Sequence, residues 1–320
     1  MTNVENQNDD LIIADISIGT EHNGLIENWY YYSIVTESFR KEGPMPNNEQ
    51  PEALEARGRS AEIIPYQDGK VVKLFLKGFP AFMIEAELAN TIEAHAQGAT
   101  SMQCYGTVEM DGRTGIVLDW VKGEPMTKAA EKNPMILLKS GQMLADQHVL
   151  VHSKTSERLR DVRELAVEFL DDESLAVLSI DEREKAKRYI ARLPEGNTIL
   201  HLDFHTENVM VDGTDCVTID WLTAARGYPE VEIGVMDYVF HYGLLFPGIS
   251  KLQEIFYTTV RSFVYNGYLK NYLKATGVDL ANVDRWRLIS LIIRRRIWAH
   301  EFEKDTLTEQ MKACIARIED

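Results

Sequence analysis

Cysteine is nearly absent. The three residues at 104, 216 and 314 are too few and too far apart for a disulfide framework or a paired-thiol metal site. No apolar run is long enough to cross a bilayer, since the most apolar stretch, Val231 to Ile249, is broken by Glu232, Asp237 and His241. The opening MTNVENQNDD carries neither the basic patch nor the apolar segment of an export signal, so a cytoplasmic protein with reduced thiols is expected. A basic excess is lacking too: 34 Lys and Arg against 50 Asp and Glu leave a net charge of −16, which repels nucleic acid and anionic membrane surfaces. Neither is an expected partner. What is present is ordinary for a soluble globular chain, with 45% apolar and 26% charged residues, and 320 residues predict two lobes or domains.

Along the chain, LIIADISIG and WYYYSIVTESF have the β-branched and aromatic content of strands, and KEGPMPNNEQPE reads as a linker. From Glu55 the pattern becomes strand, turn and strand, with Asp68-Gly69 as the hairpin signal. A helix is expected over Pro80 to Gln97, stopped by Gly98, and a second hairpin around Asp111-Gly112. Helical periodicity then prevails over Ile136 to Val151, Glu157 to Leu170, Glu182 to Leu193, Lys251 to Ala275, and from Val283 towards the C-terminus. Between them, ILHLDF and CVTIDW flank VDGTD, which predicts a third hairpin inside a helical region. The reading is α+β: 1–50 an extension of unassigned role, 51–121 a small antiparallel-sheet lobe, and 122–320 a mostly helical lobe.

The densest polar cluster is HLDFHTENVMV followed by CVTIDW. Asp203, Asn208 and Asp220 could bring two carboxylates and an amide together, an oxygen set suited to Mg²⁺. Lys73 stands mid-strand in VVKLF, where a cation among apolar neighbours faces either solvent or a cleft, and in a cleft it would suit a nucleotide phosphate. A different chemistry is open at this point: His201, Asp203 and His205 alternate and could ligate a metal on one face of a strand, as in a metal-dependent hydrolase. His148 and His152, four apart on a helix, lack a third ligand nearby in sequence.

These residues resemble the aminoglycoside phosphotransferase family of the protein-kinase-like superfamily, over roughly Glu55 to Trp298. HLDFHTENVMV is similar to the family's HxDxxxxN motif, and TIDWLTAARGYPEVE to the metal-binding strand that follows it. ARGRSAEI, VVKLF, the helix ending at Gly98, GIVLDWVKGEPM and LADQHVLVH fall in the family's order. The resemblance implies a bilobal kinase-like fold and transfer of a γ-phosphoryl from ATP or GTP, with Mg²⁺, to a hydroxyl of a small molecule. It makes Asp203 the catalytic base, Asn208 and Asp220 the metal ligands, and Lys73 the phosphate-binding cation. Glu87 or Glu85 would hold Lys73, with Glu87 in the better register. Amides around Gly58 and Ser60 would cover the phosphates, and main-chain groups of Asp119 and Val121 would meet the base. A non-catalytic kinase-like nucleotide-binding protein is a further alternative, opposed by the intact Lys, Asp, Asn, Asp set.

Three departures from the family pattern are visible. Leu202 stands where antibiotic kinases usually have Gly, Tyr228 where Asp is frequent, and Glu232 where Asp is frequent. The run Glu230, Glu232 and Asp237, just after Asp220, points to an aminoglycoside-like or other cationic acceptor.

Overall fold

In the computed structural model the described residues are 56–57, 60–67, 69–242, 250–298 and 303–319. Leu11 to Gly19 and Trp29 to Phe39, expected as strands, lie outside them.

The first lobe is one antiparallel sheet. Strands β1 (Ala56–Arg57), β2 (Ala61–Pro65), β3 (Lys70–Phe75), β4 (Cys104–Met110) and β5 (Arg113–Asp119) take the order β1-β2-β3-β5-β4. The turn before β3 is closed by Tyr66 N–H donating to the Lys70 carbonyl at 2.9 Å. The β4 to β5 turn uses Asp111 and Gly112, both left-handed, which matches the twist of a tight hairpin. Helix α1 (Ala81–Ala96) crosses one face of the sheet.

Gly123 carries the chain into the second lobe. Its φ is +93°, and a Cβ there would sit 2.1 Å from the Val211 carbonyl oxygen, so no other residue fits. Then follow β6 (Glu124–Pro125), α2 (Met126–Lys132), α3 (Pro134–His152), α4 (Val162–Phe169) and α5 (Ile180–Ala191). A short β region comes next: β7 (Thr198–Leu200), β8 (Val209–Asp212), β9 (Asp215–Thr218) and β10 (Ala225–Gly227). Helices α6 (Pro229–Tyr242), α7 (Lys251–Thr276), α8 (Leu280–Ile293) and α9 (Lys304–Ala316) complete the lobe. The fold is α+β, with a small antiparallel sheet and a mostly helical remainder.

Three local expectations are corrected. The ILH run does not pair with CVT; β7 pairs with β10, and the hairpin partner of β9 is β8. Residues 157–161 are not helical, because Asp161 caps α4 by accepting the Arg163 N–H at 2.8 Å. The C-terminal segment is three pieces, with a π-helical turn over Arg294–Trp298 between α8 and α9. There Arg294 is buried against Glu303, which accepts from its Nη2 at 3.0 and 2.8 Å.

One apolar cluster joins the lobes. Phe75, Ile84, Ile116 and Leu118 from the sheet side pack with Val151, Ile199 and Trp221. Trp221 is fully buried and Ile199 likewise, and trimming such an aliphatic side chain to alanine costs about 2–5 kcal/mol. The residues on either side of Trp221 are thereby held against α1.

Candidate active site

Strand alternation decides where Lys73 points. Val72 and Leu74 enter a small cluster on one face of β3, so Lys73 and Phe75 face α1. The Lys73 ammonium, almost wholly buried, donates to Glu87 Oε1 at 2.6 Å and to Asp220 Oδ1 at 3.1 Å. On α1 the buried positions Ile84, Glu87, Thr91 and Ala94 repeat at helical spacing, which turns Glu87 to the sheet and leaves Glu85 exposed.

Burial opposes the charge of Lys73, but Asp220 and Glu87 outweigh it and raise its pKa. Burial also drives Glu87 up to about 7 against the pull of Lys73. For Asp220, burial is outweighed by Lys73, and the carboxyl is held below its usual range. About one turn beyond Glu87 on α1, the Asn90 amide donates to the carbonyls of Trp221 at 3.1 Å, Leu222 at 3.0 Å and Ala224 at 3.3 Å. Nothing local in the sequence singles out Asn90. Its role in tying α1 to the segment after Asp220 needed the tertiary contact.

The loop from His201 to Asn208 leaves β7 and ends in a single 3₁₀ turn at Thr206–Asn208. His201 is fully buried; its Nδ1 accepts the Asp203 N–H at 3.3 Å, so Nε2 carries the proton and donates to the Ile219 carbonyl at 2.9 Å. The Asn208 carbonyl accepts the Ile219 N–H at 2.9 Å, which sets Asn208 beside the residue before Asp220. The Asn208 side-chain amide donates to the Asp203 carbonyl at 2.9 Å and to its Oδ2 at 3.1 Å. With its nitrogen so engaged, Asn208 has its oxygen to offer a cation. His205 Nδ1 accepts the Glu207 N–H at 3.2 Å, and its Nε2 lies 3.4 Å from Asp203 Oδ1.

Beneath the loop lies Glu232, fully buried on α6. Its Oε2 accepts the His201 N–H at 2.9 Å and its Oε1 the Leu202 N–H at 2.6 Å. His152 Nε2 is 3.0 Å and His148 Nε2 3.2 Å from the same Oε2. Their other ring nitrogens meet the hydroxyls of Tyr272 at 2.6 Å and Tyr268 at 2.7 Å. Burial opposes the Glu232 charge, yet the two histidines outweigh it and hold the carboxyl well below its usual range. Burial and the neighbouring His152 lower the pKa of the His148 ring below its usual range, against the pull of Glu232. The sequence offered no third partner for His148 and His152, because Glu232 is 80 positions from His152.

A model of the phosphotransferase enzyme family matches residues 66–242, the stretch that holds Lys73, Glu87, Asp203, Asn208, Asp220 and Glu232. The chain belongs to that family. It is an enzyme, a small-molecule kinase. Among solved structures, a thermostable mutant of aminoglycoside phosphotransferase APH(4)-Ia in its apo form matches with a TM-score of 0.55 at 12% identity, over 83% of this chain and 94% of that one. A thermostable mutant of that enzyme in ternary complex with ADP and hygromycin B gives 0.56 at 11% identity, over 83% and 94%. At such identity the likeness is one of kinase-like fold. No curated protein resembles the chain closely enough to count as a relative.

In this phosphotransferase the Asp119 N–H is taken by the Gln103 carbonyl at 3.0 Å, so the main-chain group Asp119 can offer a ligand is its carbonyl. Trp120 N–H donates to the Gly69 carbonyl at 2.8 Å, which fixes the chain just before Val121. Ser60 accepts the Leu76 N–H at 2.9 Å through its carbonyl, and Gly58 lies outside the described residues. Among the described residues no helix is long and apolar enough to cross a membrane.

Two expectations fail on geometry. His201, Asp203 and His205 do not form a metal site: His201 is spent on Ile219 and Asp203, and the hydrolase alternative loses its ligand set. The non-catalytic alternative gives way to the family. The acidic run after Asp220 is no open attractor for a cation either. Glu232 is buried beneath the loop, and Asp237 is bound by Arg287 Nη1 at 2.6 Å, His241 Nδ1 at 3.1 Å and the Tyr265 hydroxyl at 3.2 Å. Tyr228 stacks on Trp286 with ring centroids 4.7 Å apart.

Proposed function

We propose that this phosphotransferase moves the γ-phosphoryl of ATP or GTP to a hydroxyl of a small molecule, with Lys73 and Asp203 on opposite sides of the transfer. The observation that carries the reading is the Lys73 ammonium bridging Glu87 at 2.6 Å and Asp220 at 3.1 Å. A buried cation so clamped is a fixed point charge for the α- and β-phosphates, and positioning with charge neutralisation supplies most of the catalysis in such reactions. The lobe over 51–121 would take the nucleotide, with the Asp119 carbonyl and the Val121 amide against the base and the amides near Gly58 and Ser60 over the phosphates. The lobe over 122–320 would take the acceptor.

The oxygens of Asn208 and Asp220 fit Mg²⁺, a hard cation that prefers such donors. When bound, the metal neutralises charge developing on the phosphates. Asp203 orients the acceptor hydroxyl and takes its proton as the new O–P bond forms and the bond from Pγ to the bridging oxygen breaks, releasing the nucleoside diphosphate. An aminoglycoside-like or other cationic acceptor retains the support of the net charge of −16 and of Glu230. A cytoplasmic site of action fits the nucleotide supply.

The test is a screen of hydroxyl compounds with the purified chain, Mg²⁺, and ATP or GTP, reading both nucleotide consumption and product mass. A compound that gains one phosphoryl group while the nucleotide is consumed supports the reading. Turnover unaffected by removing divalent cation, or no phosphorylated product from any class of hydroxyl compound, would overturn it.

A further inference from the structure

Glu232 Oε2 is crowded. It accepts the His201 N–H at 2.9 Å, and the Nε2 atoms of His152 at 3.0 Å and of His148 at 3.2 Å lie against the same oxygen, which has lone pairs for two donors. His148 Nε2 finds no hydrogen-bond partner among the described residues, although its ring is fully buried. A buried nitrogen in that state calls for a partner that is not a protein group. The two rings stand one turn apart on the same face of α3, with centroids 3.9 Å apart, which brings both Nε2 atoms to one place. The ligand atoms of His148, His152 and Glu232 all lie within 4.8 Å of one another. The separations of 3.0 and 3.2 Å come close to the roughly 3.3 Å between neighbouring ligand atoms around tetrahedral zinc.

We propose that His148, His152 and Glu232 bind one structural zinc ion between α3 and α6. Two imidazoles and a carboxylate are a zinc set, whereas Mg²⁺ prefers oxygens of the kind that Asn208 and Asp220 offer. The fourth position falls to a water. With zinc on Nε2, each ring keeps its proton on Nδ1 and donates it to a hydroxyl, His148 to Tyr268 at 2.7 Å and His152 to Tyr272 at 2.6 Å. Such outer partners fix the tautomer and the orientation of metal-bound imidazoles. Both tyrosines are fully buried one turn apart on α7, and α7 is held tightly against α3: a Cβ at Gly141 would come 2.8 Å from the Gly267 carbonyl carbon. Phe204 closes another side, its ring stacked on His148 with centroids 4.2 Å apart. Walled in this way, the ion meets no substrate, and its work is to pin the two helices together. Its charge also answers that of a fully buried carboxylate, whose ion-pair partners are these two imidazoles.

The experiment is elemental analysis of the full chain, purified without a metal-affinity step from zinc-supplied cells, with thermal melts before and after chelation. One zinc per chain is expected. Stripping it should lower Tm by about 5–10 °C, the shift for a chain of this size when a ligand stands about a hundredfold above its Kd. Added Zn²⁺ should restore the melt and Mg²⁺ should not. Cobalt(II) in place of zinc should give the strong visible absorption of a tetrahedral site. His152→Gln should lose the metal, and Asp220→Ala should keep it. Should His152→Gln fail to fold, the cobalt spectrum of the wild-type chain and the metal content of Asp220→Ala still decide. A chain that carries no zinc, and whose melt is indifferent to added zinc, would overturn the proposal. So would an octahedral cobalt spectrum, or zinc that leaves with Asp220 and stays without His152. None of these readouts needs turnover, so the phosphotransfer reading and the zinc site can fail separately.

Discussion

The Asn90 side chain and the Trp221 carbonyl, 3.1 Å apart, tie the helix bearing Glu87 to the residue that follows Asp220. Both partners of Lys73 are therefore held by one contact across the lobes. Asn90→Leu removes the donor and leaves the carbonyls of Trp221, Leu222 and Ala224 without it. We expect a loss of about 1–3 kcal/mol in stability, the cost of stranding such groups, together with a higher KM for nucleotide. Thermal melts and steady-state kinetics check it. A destabilised variant with unaltered nucleotide KM would refute the coupling.

Glu87 and Glu85 are separable by mutation. Glu87→Gln leaves Lys73 with only Asp220 as a carboxylate partner and should lower kcat/KM by roughly 10²-fold, the effect of misplacing a group that positions substrate. Glu85→Gln, on the exposed side of α1, should stay within about twofold of wild type, as surface changes do. Equal losses in the two variants would contradict the assignment of Glu87.

Asp203→Asn keeps the shape of the loop and removes the carboxylate proposed as the base. Turnover should fall by roughly 10²–10⁴-fold while nucleotide affinity stays close to wild type. Asp220→Ala should instead weaken nucleotide binding in the presence of Mg²⁺. Calorimetry and single-turnover rates distinguish the two, and a common loss of binding would show that the roles are not divided in this way.

Acid stability should depend on Asp161, which is 1% exposed and accepts from the Arg163 main chain at 2.8 Å and from its Nη2 at 2.7 Å. Burial would raise its carboxyl, but the hydrogen bonds and charge of Arg163 outweigh that and lower it. A depressed folded-state pKa means stability that is present above the unfolded pKa of about 4 and lost as pH falls through the folded value. Asp161→Asn should cost about 1–3 kcal/mol at pH 7, with the gap to wild type closing below about pH 4. Urea unfolding across that range measures it. A gap that persists in acid would mean the carboxylate charge is not what stabilises the fold.

Short-range chemistry was legible in the sequence. Asp203, Asn208 and Asp220 stand close enough along the chain for their spacing to point to one site, and Asp111-Gly112 specifies its own hairpin through left-handed geometry that those residues tolerate. Lys73 was conspicuous because a strand alternates, and a lysine between Val72 and Leu74 must face the side opposite theirs. What the sequence could not decide was long-range. The pairing of β7 with β10, the Asn90 tie to Trp221, and the meeting of His148 and His152 with Tyr268 and Tyr272 all join segments far apart in the chain. Local pattern holds no information on such meetings, because they are selected by which apolar faces can be buried together. Glu232 shows the difference most clearly: along the chain it is one acid among several near Asp220, and only the packing of α6 under the 201–208 loop turns it from a surface charge into a buried ligand for two amides.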